Sequence, residues 1–188
     1  MLYNLLGRPV DVIVIIICIW MFARTASGAV SLTAVQVSAE SAWYEREYFR
    51  FFSSAFAHGG IMHIGFNMST LYTVGQVEPG YGSVVYLTYT VALVYLCGVF
   101  ASLISIAMAR CGGEAGGAAS AQRVLQPAVG YSAVLFAWMV VSTAQRESYC
   151  PVPMAPGLCL PTWRVPLPLT GGITVPVNLA PFLSLAFI

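Results

Sequence analysis

Charged residues are scarce in this sequence, and lysine is absent altogether. Charged side chains make up 8% of the 188 residues, and all eight basic residues are arginine. A soluble globular domain carries about 25% charged residues, so water cannot be the main solvent of this chain. The net charge is +1 and no run of like charge occurs, which argues against a nucleic-acid partner or a polybasic lipid site.

Histidine and paired cysteine are also scarce. The chain has two histidines and five cysteines. A zinc site of the common type needs two closely spaced ligand pairs, whereas Cys150 and Cys159 form a single pair at wide spacing. His58 and His63 are not four residues apart with a carboxylate between them, as the helix of a zinc protease requires. We therefore expect no metal and no cofactor.

Apolar residues take the place of charge. Hydrophobic residues are 59% of the chain, and a membrane-spanning helix needs roughly 20 mostly apolar residues. The segments that approach this length are residues 10–29, 60–77, 83–109, 127–143 and 176–188. The last would rise only about 20 Å and falls short of a full crossing. The first lacks a small-residue cleavage site after its apolar core, which indicates a retained helix and not a signal peptide.

These segments predict an all-α integral membrane protein, a helical bundle with about five transmembrane segments. Pro127 suits the first turn of the fourth helix. Between the first two helices, residues 31–57 are dense in aromatic and charged side chains, which is typical of a structure lying in the membrane interface. Residues 144–175 are Pro-rich and are expected to be irregular and to lie outside the hydrocarbon. No internal repeat is visible, so residues 1–188 are predicted to form a single membrane domain.

Side chains that could take part in catalysis are concentrated in two places. His63 and Asn67 are four residues apart, so they share one face of a helix and their side chains converge. Ser132 lies in the run Gly130-Tyr131-Ser132-Ala133, near a predicted helix start and beside small residues that let neighbouring helices approach. His58 is five residues before His63 and is expected on another face, where it marks the start of the helix.

Each of these features also has a purely structural interpretation. A serine in a membrane helix usually bonds to a carbonyl of its own preceding turn, which would leave Ser132 without a catalytic role. His63 and Asn67 could form hydrogen bonds between helices, a common use of polar side chains in lipid. Taken singly, neither motif decides between structure and catalysis.

Together, the two motifs are more specific. The spacing His-x4-His-x3-Asn, formed by His58, His63 and Asn67, is followed two helices later by Gly-x-Ser at Gly130 and Ser132. This combination resembles the signature of rhomboid intramembrane serine proteases. Residues 50–56 and the Gly-Gln-Val-Glu run at residues 75–78 are similar to the family's interfacial segment and to its Gly-x-x-Glu helix end.

The resemblance covers about residues 46–136 in motifs and the whole chain in helix order. It is closest to the six-helix eukaryotic branch of the endoplasmic reticulum, which implies an endomembrane location and an N-terminus on the cytosolic side. The distribution of arginine does not support that orientation by the positive-inside rule. On the cytosolic side Cys150 and Cys159 would be free thiols.

The resemblance implies an enzyme that cleaves transmembrane protein substrates in the lipid bilayer. Ser132 would attack the substrate carbonyl, and His63 and Asn67 would stabilise the oxyanion beside the backbone N–H of Ser132, with Gly130, Tyr131 and His58 in support. Fixed donors of this kind contribute about 3 kcal/mol each. A serine hydroxyl also needs an adjacent base to accept its proton.

The sequence departs from the family pattern at that base. The family places it on a sixth helix, and no histidine follows Ser132 in these 188 residues. We expect a chain truncated at its C-terminus, without the sixth helix and inactive as it stands. Ala133 also replaces the family's usual glycine after the serine. The alternatives are a non-catalytic rhomboid-like protein that binds membrane clients and, less favoured because no inverted repeat is visible, a transporter fragment.

Overall fold

The computed structural model describes residues 7–111, 127–144, 148–149, 160–166 and 174–177. Helices dominate this part of the chain: α1 Pro9–Ala26, α2 Leu32–Val35, α3 Arg50–Phe56, α4 Ile61–Val74, α5 Glu78–Tyr81, α6 Ser83–Cys111 and α7 Ser132–Ala144. A π-helical turn, Glu40–Tyr44, precedes α3, and a 3-10 turn, Gly75–Val77, follows α4. The described strands are β1 Ser148–Tyr149, β2 Leu160–Pro161, β3 Trp163–Pro166 and β4 Thr174–Val177.

Two helices of the described residues are long and apolar enough to cross a membrane. They are α1, with 18 residues, and the Ser83–Arg110 part of α6, with 28 residues. Both expose large apolar side chains along their length, among them Ile16, Trp20, Phe100 and Ile104. An apolar surface of this kind is stable against lipid and not against water. The first and third predicted segments therefore coincide with these two helices.

The core lies where α1, α4, α6 and α7 pack together. Trp138 of α7 is fully buried, stacks on Tyr86 at 4.5 Å between ring centroids and donates its indole N–H to Thr90 Oγ1 at 3.1 Å. A buried tryptophan needs such a partner for its N–H. These contacts join the middle of α7 to α6.

A buried carboxylate caps the N-terminus of α1. The two carboxylate oxygens of Glu78 accept hydrogen bonds from the backbone N–H groups of Val10 and Asp11, both at 3.1 Å. The first N–H groups of a helix have no partner within it, and a negative charge also suits that end of the helix dipole. Asp11 in turn accepts a hydrogen bond from Tyr86 at 2.9 Å, and its carboxylate packs so closely on Gly75 that no side chain fits there. The Gly-x-x-Glu run therefore joins α1 to the end of α4.

The segment predicted to lie in the membrane interface forms α2, the π-helical turn and α3. Phe51 of α3 is buried and packs against Tyr95 of α6 and against Trp43, each at 5.4 Å between ring centroids. A Cβ atom on Gly98 of α6 would lie 2.9 Å from the carbonyl oxygen of Phe51. Small residues allow this close approach of two helices, and it holds α3 against α6.

Three sequence-based predictions need correction. The fourth helix begins at Ser132 and not near Pro127, because the segment before it is extended and Ala128 pairs with Val37 as an isolated β-bridge. The fifth helix does not begin at Pro176, since β4 pairs there with β3 in an antiparallel register. The stretch predicted to be irregular also contains β1, which pairs with β2. Residues 178–188 lie outside the described part of the chain.

Candidate functional site

The segment that leads into α7 is held by backbone hydrogen bonds. Val37 and Ala128 exchange two of them, with N···O distances of 3.1 and 2.7 Å, and the N–H of Gly130 donates to the carbonyl oxygen of Ser54 at 2.9 Å. Gly130 has φ +114°, a conformation that is readily available only to glycine. The loop therefore reaches α7 in a direction fixed by both the interfacial segment and the glycine.

Ser132 is the first residue of α7 and is half-buried. At this position its N–H belongs to the first turn, whose N–H groups have no acceptor within the helix and carry the positive end of the helix dipole. Within the described residues the hydroxyl of Ser132 makes no hydrogen bond. The structural interpretation, in which the serine bonds back to its preceding turn, does not fit a residue with no helical turn before it.

His63 lies directly against this segment. A Cβ atom built on Gly130 would lie 2.6 Å from both Nε2 and Cε1 of His63, far inside van der Waals contact. The imidazole of α4 therefore packs on the bare Cα of Gly130, two residues before Ser132. The structure brings His63 and the Gly-x-Ser motif together, and glycine at position 130 makes the approach possible.

Asn67 is one turn further along α4 and is completely buried. Its amide nitrogen donates to the carbonyl oxygen of His63 at 2.8 Å, and its Oδ1 has no partner among the described residues. The structure does not bring the Asn67 amide into a hydrogen bond with Ser132. One amide hydrogen and Oδ1 are left for another group.

His58 lies against His63 and not on a separate face of the helix. The expectation assumed helical spacing, but α4 begins only at Ile61 and its N-cap residue, Gly60, is extended with φ −171°. The residues before Ile61 are therefore not helical, and the two imidazole rings lie 5.0 Å apart between centroids, with 66° between their planes. His58 is 2% exposed, and its Nδ1 lies 3.2 Å from the carbonyl oxygen of Phe56.

Burial lowers the pKa of His58. The pKa falls to about 4 because burial disfavours the charged ring and because His63 is close by, and the Phe56 carbonyl offsets part of this effect. Neutral His58 is the state expected at pH 7. The ring then carries one N–H and one lone pair.

Tyr131 supports the start of α7 from within the core. It is fully buried, and its ring packs against Phe56 at 5.9 Å between centroids. Its hydroxyl has no partner among the described residues. Ala133, where the resemblance leads to an expectation of glycine, is exposed.

A small apolar cavity lies beside the site, between α3, α6 and the loop before α7. Its volume is about 90 Å³, and its lining includes Gly98, Cys97, Gly130 and Ala133. Within the described residues, no three histidine, cysteine, aspartate or glutamate side chains lie close enough to hold a metal ion. Cys18 and Cys97 are free thiols, while Cys150 and Cys159 lie outside the described residues.

Two parts of the site were missed by sequence reasoning. The carbonyl oxygens of Ser54 and Phe56 hold Gly130 and His58, respectively. Backbone atoms carry no sequence signal of their own. The only available indication was that the interfacial segment, of which both residues are part, runs directly into His58.

The comparisons with known proteins point to one family. The model of the rhomboid domain matches residues 45–159, which include the interfacial helix α3, the two histidines and Ser132. A search of curated proteins found no match.

Proposed function

The chain belongs to the rhomboid family, and on that premise we propose that it is an intramembrane serine endopeptidase that cleaves transmembrane protein substrates. The observation that carries this proposal is the contact of His63 with Gly130, two residues before Ser132. It joins the two motifs that are far apart in the sequence. Local packing of each motif would not require the two motifs to be in contact.

Ser132 is the proposed nucleophile. Its hydroxyl is partly accessible and makes no hydrogen bond within the described residues, so a substrate carbonyl can approach it. The oxyanion that forms would meet the N–H groups at the start of α7, which carry the positive end of the helix dipole. His63 is the proposed second donor because its ring faces the same segment.

Asn67 is the proposed third donor. It already donates to the carbonyl oxygen of His63, so it supplies its second amide hydrogen and also holds the backbone that carries His63. Tyr131 and Gly130 shape the segment around Ser132. His58 supports His63 from the other side.

The proposed mechanism needs a base that accepts the proton of Ser132. The resemblance places this base on a histidine after the serine, and residues 1–188 contain none there. The histidines are His58 and His63, and both precede Ser132. In a soluble serine protease the loss of one member of the catalytic triad lowers turnover by several orders of magnitude. We propose that residues 1–188 by themselves turn over substrate very slowly or not at all.

A second candidate function is non-catalytic. A rhomboid-family protein of that kind would bind membrane clients without cutting them, and it would need no base beside Ser132. The retained Gly-Tyr-Ser motif favours the protease. For either function we propose an endomembrane location, on the resemblance to the branch found in the endoplasmic reticulum.

The deciding experiment measures cleavage of a model transmembrane substrate in detergent by the protein expressed from its complete gene, so that any segment after residue 188 is included. We expect cleavage by the unmodified protein and none by Ser132→Ala. Ser142→Ala is the matched control, because Ser142 is a buried serine of the same helix that bonds to the carbonyl of Met139, and it should retain activity. Equal cleavage by Ser132→Ala would refute the nucleophile. Client capture without cleavage by all three proteins would establish the second function.

A further inference from the structure

The two histidines form a pair whose arrangement goes beyond the oxyanion role of His63 alone. We propose that His58 is a positioning residue: it accepts a hydrogen bond from the His63 ring, so that the pair takes up a single proton on His63 and directs the other His63 N–H toward the segment from Gly130 to Ser132. The inference rests on the proposed function for its purpose, but not for its test.

The protonation of His58 follows from its own contacts. Nδ1 faces the carbonyl oxygen of Phe56 at 3.2 Å, and a carbonyl can only accept, so Nδ1 carries the hydrogen. In the neutral ring Nε2 then carries a lone pair and can only accept a hydrogen bond. Nε2 is buried and has no partner among the described residues. A buried acceptor without a donor is costly, which makes a nearby donor favourable.

The ring of His63 is a donor that lies close to the ring of His58. The two ring centroids are 5.0 Å apart, and the ring planes are inclined at 66°. The rings therefore meet edge to face. This separation allows an N–H···N hydrogen bond of about 2.9 Å after a modest rotation of either ring. The Nε2 and Cε1 atoms of His63 pack against Gly130. The ring of His63 is thus held between an acceptor and the catalytic segment.

The difference between the two environments decides where a proton goes. His58 is 2% exposed and already donates Nδ1–H to Phe56, whereas His63 is only partly buried and faces the start of α7. Among the described residues His63 is the titratable group that acts electrostatically on His58. Asn67, which donates to the His63 carbonyl, and Ser54, which accepts from Gly130, are uncharged. Two protons on rings this close would repel, so the pair takes one, on His63.

When it is protonated, His63 is a stronger hydrogen-bond donor than a neutral ring would be. A hydrogen bond from an ionised donor to an oxyanion is roughly twice as strong as a neutral one. By accepting a hydrogen bond from the second N–H of the His63 imidazolium, His58 stabilises the ionised ring. The hydrogen-bonded chain then runs from the Phe56 carbonyl through His58 and His63 to the start of α7.

The test uses nuclear magnetic resonance of the ring nitrogens in detergent micelles. The chain has two histidines, so labelling with [15N]histidine yields only two imidazole spin systems, and Ser132→Ala protein serves as well as active protein. We expect His58 as the Nδ1–H tautomer throughout a titration from pH 8 to 5, with the imidazolium signature appearing on His63 alone. An Nε2–H tautomer of His58, or protonation of His58 before His63, would overturn the proposal.

Two variants separate positioning from simple packing. His58→Leu removes the acceptor, and the titration midpoint of His63 should fall by about one pH unit, in keeping with the loss of one hydrogen bond to a charged group. His58→Gln can donate to Phe56 through its amide nitrogen and accept through its amide oxygen, so the midpoint should stay near that of the unmodified protein. An unchanged midpoint in His58→Leu would contradict the inference. If that variant does not fold, the tautomer in the unmodified protein still decides.

Failure of this inference and failure of the proposed function are distinguishable. If the tautomer and the titration are as expected but no substrate is cleaved, the histidine pair stands and the protease proposal falls. If cleavage depends on Ser132 but His58 has the other tautomer, the protease stands and the pair does not.

Discussion

Single residues decide whether this site can form, and Gly130 is the clearest example. Its positive φ excludes most other residues at low cost, and its missing side chain admits the ring of His63. Ser54 completes the arrangement by accepting the Gly130 N–H at 2.9 Å. A side chain at position 130 would have to displace His63 from the start of α7.

Replacement of Gly130 by alanine tests this contact. The new Cβ would lie 2.6 Å from His63 Nε2, so we expect Gly130→Ala to lower the melting temperature in detergent and to shift the ring resonances of His63. The conformational cost alone is about 1 kcal/mol or more. Gly65→Ala is the control, because nothing lies within 4 Å of its Cβ position inside α4. Unchanged His63 resonances in Gly130→Ala would contradict the packing.

The role of Asn67 can be read from steady-state kinetics of the native protein. If its amide stabilises the oxyanion, Asn67→Ala should lower kcat by about 10²-fold and leave KM nearly unchanged, as with other oxyanion donors. Asn67→Asp keeps the shape but removes the N–H groups, and it should be equally impaired. A rise in KM at constant kcat would argue instead that Asn67 binds substrate.

At the scale of elements, the helices are joined by backbone groups as much as by side chains. Glu78 binds the first N–H groups of α1, and Gly98 admits α3 onto α6. These contacts hold the two long apolar helices in register with the shorter α4 and α7. The site is therefore placed at one end of α4, while Glu78 closes the opposite end.

Glu78→Gln tests the cap on α1. The variant keeps one acceptor oxygen but loses the charge and one of the two bonds at 3.1 Å, so we expect a loss of about 1–3 kcal/mol in stability and faster hydrogen exchange at Val10 and Asp11. Glu45→Gln, at an exposed position, is the matched control and should leave both quantities unchanged. Equal exchange rates in the two variants would show that the cap contributes little.

At the scale of the whole molecule, stability depends on pH through His58. Its pKa in the folded protein is about 4, against 6.5 for the free side chain. Between these values the unfolded chain binds a proton that the folded chain does not, so stability is complete above about pH 6.5 and falls as the pH is lowered toward 4, by up to about 3 kcal/mol. Burial of a neutral histidine thus makes the fold sensitive to acid.

Thermal melting in detergent at pH 7.5 and pH 5 measures this dependence. The unmodified protein should melt at a lower temperature at pH 5, and His58→Gln should lose much of that difference because glutamine does not titrate. Other groups contribute equally to both proteins, so the comparison isolates His58. A pH dependence that is the same in both proteins would contradict the assignment.

Much of the architecture could be predicted from the sequence because it depends on solvent. A chain with 8% charged residues must bury apolar surface in lipid, and the apolar runs of α1 and α6 follow directly. The spaced motifs around His63 and Ser132 identified the family, which the match to the rhomboid domain confirmed. The start of α7 and the strand at Pro176 were predicted wrongly, because an isolated bridge between Ala128 and Val37 and the pairing of β3 with β4 depend on distant partners.

The sequence by itself determined the solvent of this protein, its long helices and the candidate site residues, since these depend on composition and on local spacing. Only the tertiary structure decided which of those residues meet. His63 packs on Gly130 and His58 packs on His63 because backbone carbonyls of the interfacial segment hold both ends of the arrangement. Every residue has a backbone carbonyl, so no pattern of side chains in the sequence can predict which carbonyls accept these hydrogen bonds.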